Sequence, residues 1–326
     1  MTTTAPALSA LAPTRTPLSA ARLLGIGAAQ PELTITATEL GAPFGRTAEW
    51  IRARTGIHAV RRVAPMTEIA HLAAQAASTA LERAGLEVDD IDFVLTASCS
   101  LDRKVTARIA AKVAPRAGWM AVNAACSGFC FAMSSADNFI RTGMARRVLI
   151  VAVEQMSALL DPDDLGTSII FGDGAGAAVL GPAPSDVNGI GPVVWGSDGE
   201  HRDLIACDAD GKLRMAGREV FRWAVESMPA VALEACARAG VDVNDIEVFV
   251  PHQANARIID AVATKLGLND VVTARDIIGS GNTSAASIPI AMTRLLEGDA
   301  TLSGRLALLL GFGAGLSYAG QVVRLP

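Results

Sequence analysis

The chain has 326 residues, of which 51% are hydrophobic and 19% charged, so it can form one large domain or two fused halves around a substantial core. Its formal net charge of −5 argues against general binding to nucleic acid or to an anionic membrane. No apolar run reaches the ~18 residues of a membrane helix, and the N-terminus has neither a charged start nor a long apolar stretch. We therefore expect a cytoplasmic protein whose residues 1–20 form a disordered extension.

Strand-like and helix-like segments alternate along the chain. Apolar, β-branched runs predict strands at residues 21–29, 91–97 and 147–153. Helical periodicity predicts helices at residues 66–84, 127–142 and 287–296, and the first of these stops at Gly85, a typical C-cap. This alternation favours an α/β architecture with mostly buried strands.

The two halves of the chain repeat one another. The sequence ALERAG at residues 80–85 is followed by a valine, an Asp-Ile pair and a strand, and ACARAG at residues 235–240 is followed by the same pattern at the same spacing. Likewise FGDGAG at residues 171–176 is echoed by FGAG at residues 312–315. Such corners occur in many α/β proteins, but two echoes in the same order favour a duplication into residues 21–184 and 185–326.

Cys126 lies in the small-residue sequence NAACSGF at residues 123–129, where a helix is predicted to begin. Unpaired N–H groups and the helix dipole at this position predict a lowered thiol pKa and a nucleophilic thiolate. The alternative is an inert buried cysteine. The other cysteines lie in apolar or helical contexts, and no cysteine spacing predicts a zinc site, so we expect free thiols and no metal.

His252 and Asn282 are the other candidate catalytic residues. His252 follows an apolar strand, where functional residues of α/β sheets often lie, and Asn282 lies in the glycine loop GSGNTS. Each has an ordinary alternative. For His252 it is a loop histidine whose hydrogen bonds are satisfied, and for Asn282 it is an asparagine that serves only to form the turn. With Cys126 they form a coherent set, because a thiolate can accept an acyl group while a neutral imidazole and an amide donate hydrogen bonds to a thioester enolate.

These segments resemble β-ketoacyl-acyl carrier protein synthase III, the initiating ketosynthase of fatty-acid synthesis in the thiolase superfamily. The similarity runs from about Leu23 through WIRARTGI (50–57), FGDGAGAAV (171–179), MAGREVF (215–221) and PHQANAR (251–257). It implies a layered αβαβα fold of two similar halves, usually as a homodimer. It also implies acyl-coenzyme A or acyl-carrier protein as substrate, with no permanently bound cofactor.

By matched position, the resemblance implies that Cys126 is the acyl-accepting nucleophile. It also implies that His252 and Asn282 assist the decarboxylation of a malonyl thioester. The backbone N–H groups of Cys126 and the Ala314 region would form the oxyanion hole. The positions that match the coenzyme A and pantetheine tunnel are Trp50, Arg54, Gly217, Phe221, Asn255 and Arg257. Arg222, Arg257 and Lys265 are expected to form a basic patch for an acidic carrier protein, or else an ordinary solvated face.

Several positions depart from the family pattern. Leu165 stands where an arginine often pairs with the tryptophan around adenine, which argues against tight coenzyme A binding and makes a carrier-protein donor plausible beside a coenzyme A donor. The segment that covers the acyl pocket, residues 99–104, is shorter than usual in the family and lacks the usual aromatics and proline. The segment at residues 206–213 is also short for the family, and Ala314 stands where a glycine is usual in the oxyanion loop. These departures favour a specialised substrate, as in polyketide or other secondary-metabolite assembly.

The expected reaction is acyl loading followed by decarboxylative Claisen condensation with malonyl-carrier protein. An alternative is transfer of the acyl group from Cys126 to a hydroxyl or amine, with His252 as general base; the intact Asn282 favours condensation. A cysteine hydrolase and a non-catalytic partner subunit are further alternatives. The repeated halves argue against the hydrolase, and the retained thiol argues against the inert subunit.

Overall fold

The computed structural model describes residues 20–64, 68–184 and 189–326, and these ranges contain two five-stranded sheets. The predicted N-terminal extension lies outside the described residues, apart from Ala20, and so does the predicted helical start at Met66. Within the described ranges, no helix is long and apolar enough to cross a membrane.

The strands pair in the same pattern in both sheets. The first sheet has the order β1-β7-β6-β4-β5 and the second has the order β8-β14-β13-β11-β12, with the last three strands of each parallel and the others antiparallel. Two further antiparallel sheets of two short strands each, β2-β3 and β9-β10, also form. The strands are β1 Ala21–Ala29, β2 Thr34–Thr36, β3 Ala59–Arg61, β4 Phe93–Ala97, β5 Gly118–Val122, β6 Val148–Gln155, β7 Asp173–Pro182, β8 Val194–Ser197, β9 Ile205–Cys207, β10 Leu213–Met215, β11 Val248–Pro251, β12 Val272–Thr273, β13 Leu306–Gly313 and β14 Ser317–Arg324.

Helices cover both sheets and fill the space between them. They are α1 Ala37–Gly41, α2 Ala48–Thr55, α3 Ile69–Ala84, α4 Arg103–Val113, α5 Gly128–Arg141, α6 Leu165–Ser168, α7 Gly217–Ala239, α8 Ala256–Leu266, α9 Ile277–Ser280 and α10 Ser287–Gly298. The predicted helices at residues 127–142 and 287–296 and the strands at 91–97 and 147–153 agree with these bounds to within two residues.

The central layer is formed by α5 and α10. Helix α5 packs against β4 and β6 of one sheet and against β13 and β14 of the other, while α10 packs on β1, β7 and β11. Helices α3 and α4 cover the opposite face of the first sheet, and α7 and α8 cover that of the second. The result is the expected αβαβα layering, in which strand residues alternate between an inner and an outer apolar core.

The repeated sequence segments occupy equivalent places. Gly85 and Gly240 end α3 and α7 in the left-handed conformation, with φ of 64° and 72°, and each is followed by a 3₁₀ turn and a parallel strand, β4 or β11. Glycine is suited to this position because a Cβ would be strained there. These equivalences support the duplication; the boundary between residues 184 and 185 stays a prediction.

Candidate active site

Cys126 lies between β5 and α5, in the 3₁₀ turn Ala125–Ser127. Ala125, directly before it, has a φ of 47°, a strained value for a residue with a side chain. The end of β13 crosses the turn so closely that a Cβ at Gly313 would lie 2.6 Å from the Cys126 backbone nitrogen. The turn therefore holds the thiol at the junction of the two halves, and glycine at residue 313 permits this approach.

The surroundings of the Cys126 thiol keep it protonated. Part of the residue is open to a cavity, but burial of the thiol among protein atoms raises its pKa to about 12. A hydrogen bond with Ser284 lowers the pKa, and the Glu154 carboxylate raises it. The prediction of a thiolate with a lowered pKa is therefore wrong, because desolvation outweighs the benefit of the helix N-terminus.

The raised pKa of the Cys126 thiol predicts that its alkylation depends steeply on pH. Since only the thiolate reacts, the rate of Cys126 alkylation by iodoacetamide should rise about tenfold per pH unit between pH 7 and 10. Peptide mass spectrometry of timed samples would measure it, with free cysteine as the reference that levels off near its ordinary pKa. A plateau for Cys126 below pH 9 would show that the thiol is not desolvated as described.

His252 follows β11 and is 1% exposed. Its Nδ1 lies 2.7 Å from the Ser287 hydroxyl, and its ring edge meets Phe312 with the centroids 5.4 Å apart. Burial lowers the imidazole pKa to about 3, so the ring is neutral at physiological pH. Among the described residues no hydrogen-bond partner reaches Nε2, which leaves this nitrogen for a ligand.

Asn282 is 4% exposed. Its Oδ1 accepts a hydrogen bond from the Ser284 N–H at 2.8 Å, while its backbone N–H donates to Ile170 and its carbonyl accepts from Gly172. Because Oδ1 is occupied in this way, the amide nitrogen Nδ2 is left as a donor toward the cavity. Ser284 has a φ of 48°, so the loop stores strain beside the site.

One cavity of about 550 Å³ is lined by Cys126, His252 and Asn282 together. Ala314, Arg54, Gly217, Phe221, Asn255 and Arg257 also line it, so the predicted catalytic and oxyanion residues and most predicted tunnel residues meet there. No aspartate or glutamate is among its described lining residues. In the described part of the chain, no group of three or more His, Cys, Asp or Glu side chains could hold a metal ion.

Of the predicted tunnel and patch residues, Trp50, Arg222 and Lys265 do not line this cavity, and Asn255, which does, has a structural role. Trp50 is outside the lining, but its ring lies against the Arg54 guanidinium, 5.0 Å from the ring centroid. Asn255 is a structural cap, because Oδ1 accepts from the Arg257 N–H at 2.9 Å and Nδ2 donates to the Arg54 carbonyl at 3.2 Å. Arg222 and Lys265 are exposed on α7 and α8 and do not line the cavity.

A second cavity of about 650 Å³ adjoins the first and shares Cys99, Ala125, Met156, Leu213 and Ala314 with it. Its wall is mostly apolar and includes Phe131 and Trp195, whose ring centroids are 5.0 Å apart with the ring planes inclined by 33°. Cys99 of the segment at residues 99–104 lines this space, and so do Ala206, Cys207 and Leu213 of the segment at residues 206–213. Such a chamber suits the apolar part of an acyl group.

Three polar residues of the site have no local signal that sequence reasoning could have used. Ser284 and Ser287 are serines in a run of small residues, yet one bonds the Cys126 thiol and the other bonds His252. Glu154, fully buried at the end of β6, accepts hydrogen bonds from Ser98, Cys99, Ser100 and the Ala285 N–H. It joins the residue 98–100 loop to the Asn282 loop.

Comparison with known proteins gives one consistent family. The family model for 3-oxoacyl-(acyl-carrier-protein) synthase III matches residues 120–199, and the model for the C-terminal part of the same family matches residues 236–325. The chain is 42% identical to β-ketoacyl-(acyl-carrier-protein) synthase III 4 of Streptomyces coelicolor, over 94% of the chain and 98% of that protein. It is also 42% identical to the mycobacterial β-ketoacyl-(acyl-carrier-protein) synthase III of Mycobacterium marinum, over 95% and 97%.

Solved structures agree with this result. The priming β-ketosynthase from the R1128 polyketide biosynthetic pathway superposes with a TM-score of 0.91 at 40% identity, covering 97% of this chain and 99% of that one. The 3-oxoacyl-(acyl-carrier-protein) synthase III from Aquifex aeolicus VF5 superposes with a TM-score of 0.87 at 35% identity, covering 93% and 99%. The layered fold described above is therefore the thiolase-like fold.

Proposed function

The chain belongs to the β-ketoacyl-(acyl-carrier-protein) synthase III family of acyltransferase-type condensing enzymes, and from this premise we propose that it works through Cys126, His252 and Asn282. An acyl group passes from a thioester donor to Cys126, and decarboxylative condensation with malonyl-carrier protein then yields a β-ketoacyl product. The observation that carries the proposal is that the cavity at the thiol also holds a neutral imidazole and an amide Nδ2.

In the loading step, the Cys126 sulfur attacks the carbonyl carbon of the donor thioester. The thiol begins protonated, so its proton must move as the new bond forms. Neutral His252 can accept this proton at Nε2 and return it to the departing donor thiolate. The Ser287 hydroxyl at Nδ1 can either donate or accept, so the contact suits both ring tautomers.

In the condensation step, the malonyl thioester loses CO₂ and forms an enolate. The enolate oxygen accepts hydrogen bonds from His252 Nε2–H and Asn282 Nδ2–H, both fixed by contacts on their far sides. The enolate carbon attacks the acyl carbonyl on Cys126, whose oxygen is held by the N–H groups of Cys126 and Ala314. Collapse releases the β-ketoacyl thioester and breaks the bond to the Cys126 sulfur, which leaves as a thiolate and takes up a proton from water.

A two-stage mass-spectrometric experiment tests this function. The protein is incubated with acyl donors, the adduct is located by peptide mass spectrometry, and malonyl-carrier protein is then added. We expect an adduct on Cys126 that disappears as a β-ketoacyl product forms and CO₂ is released. An adduct that persists with malonyl-carrier protein, but is cleared by a hydroxyl or amine acceptor, would instead indicate acyl transfer to oxygen or nitrogen.

We further propose that the protein is a cytoplasmic homodimer. The five cysteines are all free, as suits a reducing compartment. Strand β5 is at the edge of the first sheet, with Met120 39% exposed, so its unpaired backbone can join the same strand of a second copy. Light scattering should give twice the chain mass of 33.6 kDa; a monomer mass would contradict this proposal.

A further inference from the structure

Two aromatic side chains near the mouth of the thiol cavity, Trp50 and Phe221, are in contact with arginine side chains. The guanidinium carbons of Arg46 and Arg54 lie 4.9 and 5.0 Å from the centre of the Trp50 ring. That of Arg257 lies 5.4 Å from the centre of the Phe221 ring. Each contact is a cation–π interaction. A nucleotide base that stacked on Trp50 would compete with these guanidinium groups for the ring.

The neighbouring helix offers no compensating contact to a base. Trp50 and Leu165 pack against the same apolar cluster, which includes Ile51 and Ile169. Leu165 is the first residue of α6, and its side chain is aliphatic. It can neither stack as a planar group on adenine nor pair with a nucleotide phosphate. The nucleotide half of coenzyme A therefore gains little at this position.

The same mouth carries an excess of positive charge. Arg46, Arg54, Arg218, Arg222 and Arg257 are exposed, and in the ranges that the structure covers none of them forms a salt bridge with a carboxylate. The whole chain is acidic, with a net charge of −5. A local basic surface on an acidic protein favours a partner with an extended acidic surface.

We propose that the acyl donor for Cys126 is a thioester on an acidic carrier protein, and that this chain discriminates against coenzyme A thioesters at Trp50. The inference rests on the proposed function. With a carrier donor, only the pantetheine arm enters the cavity, and the arginines bind the carrier surface. The bond from the acyl carbon to the Cys126 sulfur forms, the bond to the pantetheine sulfur breaks, and the thiol proton passes to the released pantetheine thiol.

The test compares one acyl group on three donors: a pantetheine thioester, a coenzyme A thioester and a carrier-protein thioester. The kcat/KM for loading of Cys126 is measured for each by mass spectrometry. We expect coenzyme A to exceed pantetheine by less than about threefold, and the carrier protein to exceed coenzyme A by at least about tenfold. The advantage of the carrier should shrink as salt is added, because exposed charges are screened.

Two variants locate the discrimination. Leu165→Arg should raise the ratio of coenzyme A to pantetheine loading, since it adds a guanidinium beside Trp50. Arg222→Glu should lower loading from the carrier about tenfold more than loading from pantetheine. The matched control is Arg146→Glu. Arg146 is exposed just before the start of β6, whereas Glu154, which is near the thiol, lies at the other end of that strand. This variant should lower neither loading from the carrier nor loading from pantetheine by more than about twofold.

The outcomes separate the inference from the proposed function. Loading from coenzyme A at least tenfold better than from pantetheine would overturn the inference alone, since it would show that the nucleotide is bound. Equal loss of carrier loading in the Arg222 and Arg146 variants would also overturn it. No loading of Cys126 from any of the three donors would overturn the proposed function and the inference with it.

Discussion

Replacing Cys126 by alanine is expected to abolish the acyl adduct and all condensation while leaving the protein folded. The substitution removes the sulfur that attacks the thioester but keeps the small side chain that the turn beside Gly313 accommodates. Intact-protein mass spectra with an acyl donor should show no added mass on the variant. Circular dichroism and a melting curve like those of the unchanged protein would show that the loss is chemical.

The most informative control is Cys99, the second thiol of the cavity. Its sulfur lies 3.2 Å from the Ser284 hydroxyl, the same group that bonds Cys126. Burial and the Glu154 carboxylate raise its pKa well above the ordinary value, just as they raise that of Cys126, so the pKa does not separate the two thiols and the variants must. The Cys99→Ala variant should still carry the adduct on Cys126. If the adduct instead remained in Cys126→Ala and disappeared in Cys99→Ala, the nucleophile would be Cys99.

The local structure of this chain follows closely from its sequence. The apolar run at residues 21–29 is the strand Ala21–Ala29, and the glycines at residues 85 and 240 end two helices as expected. These features depend on hydrophobic periodicity and on the conformational freedom of glycine, both of which act over a few residues. The convergence of three distant motifs was predictable only through their resemblance to a known family.

The electrostatics of the thiol could not be predicted in this way. The sequence around Cys126 shows a helix start, which favours the thiolate, but the groups that oppose it come from elsewhere. Gly313, which packs against the Cys126 turn, belongs to the second half, and the Glu154 carboxylate lies near the end of a strand whose first six residues are apolar. Burial by segments that are distant in the chain decides the sign of the pKa shift, and no local pattern encodes such burial.

Asn282→Ala is expected to slow condensation about 10²- to 10³-fold and to slow loading of Cys126 much less, by under about tenfold. The first range is typical of removing one fixed donor from an oxyanion site. Loading involves no enolate, so it does not need the Nδ2 donor. Single-turnover measurements of adduct formation and of product release would give the two rates separately. Equal losses in both steps would contradict the assignment of Asn282 to decarboxylation.

A second substitution separates this chemical role from a structural one. Asn282 also holds its loop, because Oδ1 accepts the Ser284 N–H at 2.8 Å next to a residue with strained φ. Asn282→Asp keeps an oxygen at that position and replaces the Nδ2 donor by an acceptor. If the donor is what matters, the aspartate variant should load Cys126 yet condense as slowly as the alanine variant. If the loop contact is what matters, the aspartate variant should recover condensation, and the enolate would then depend on His252 alone.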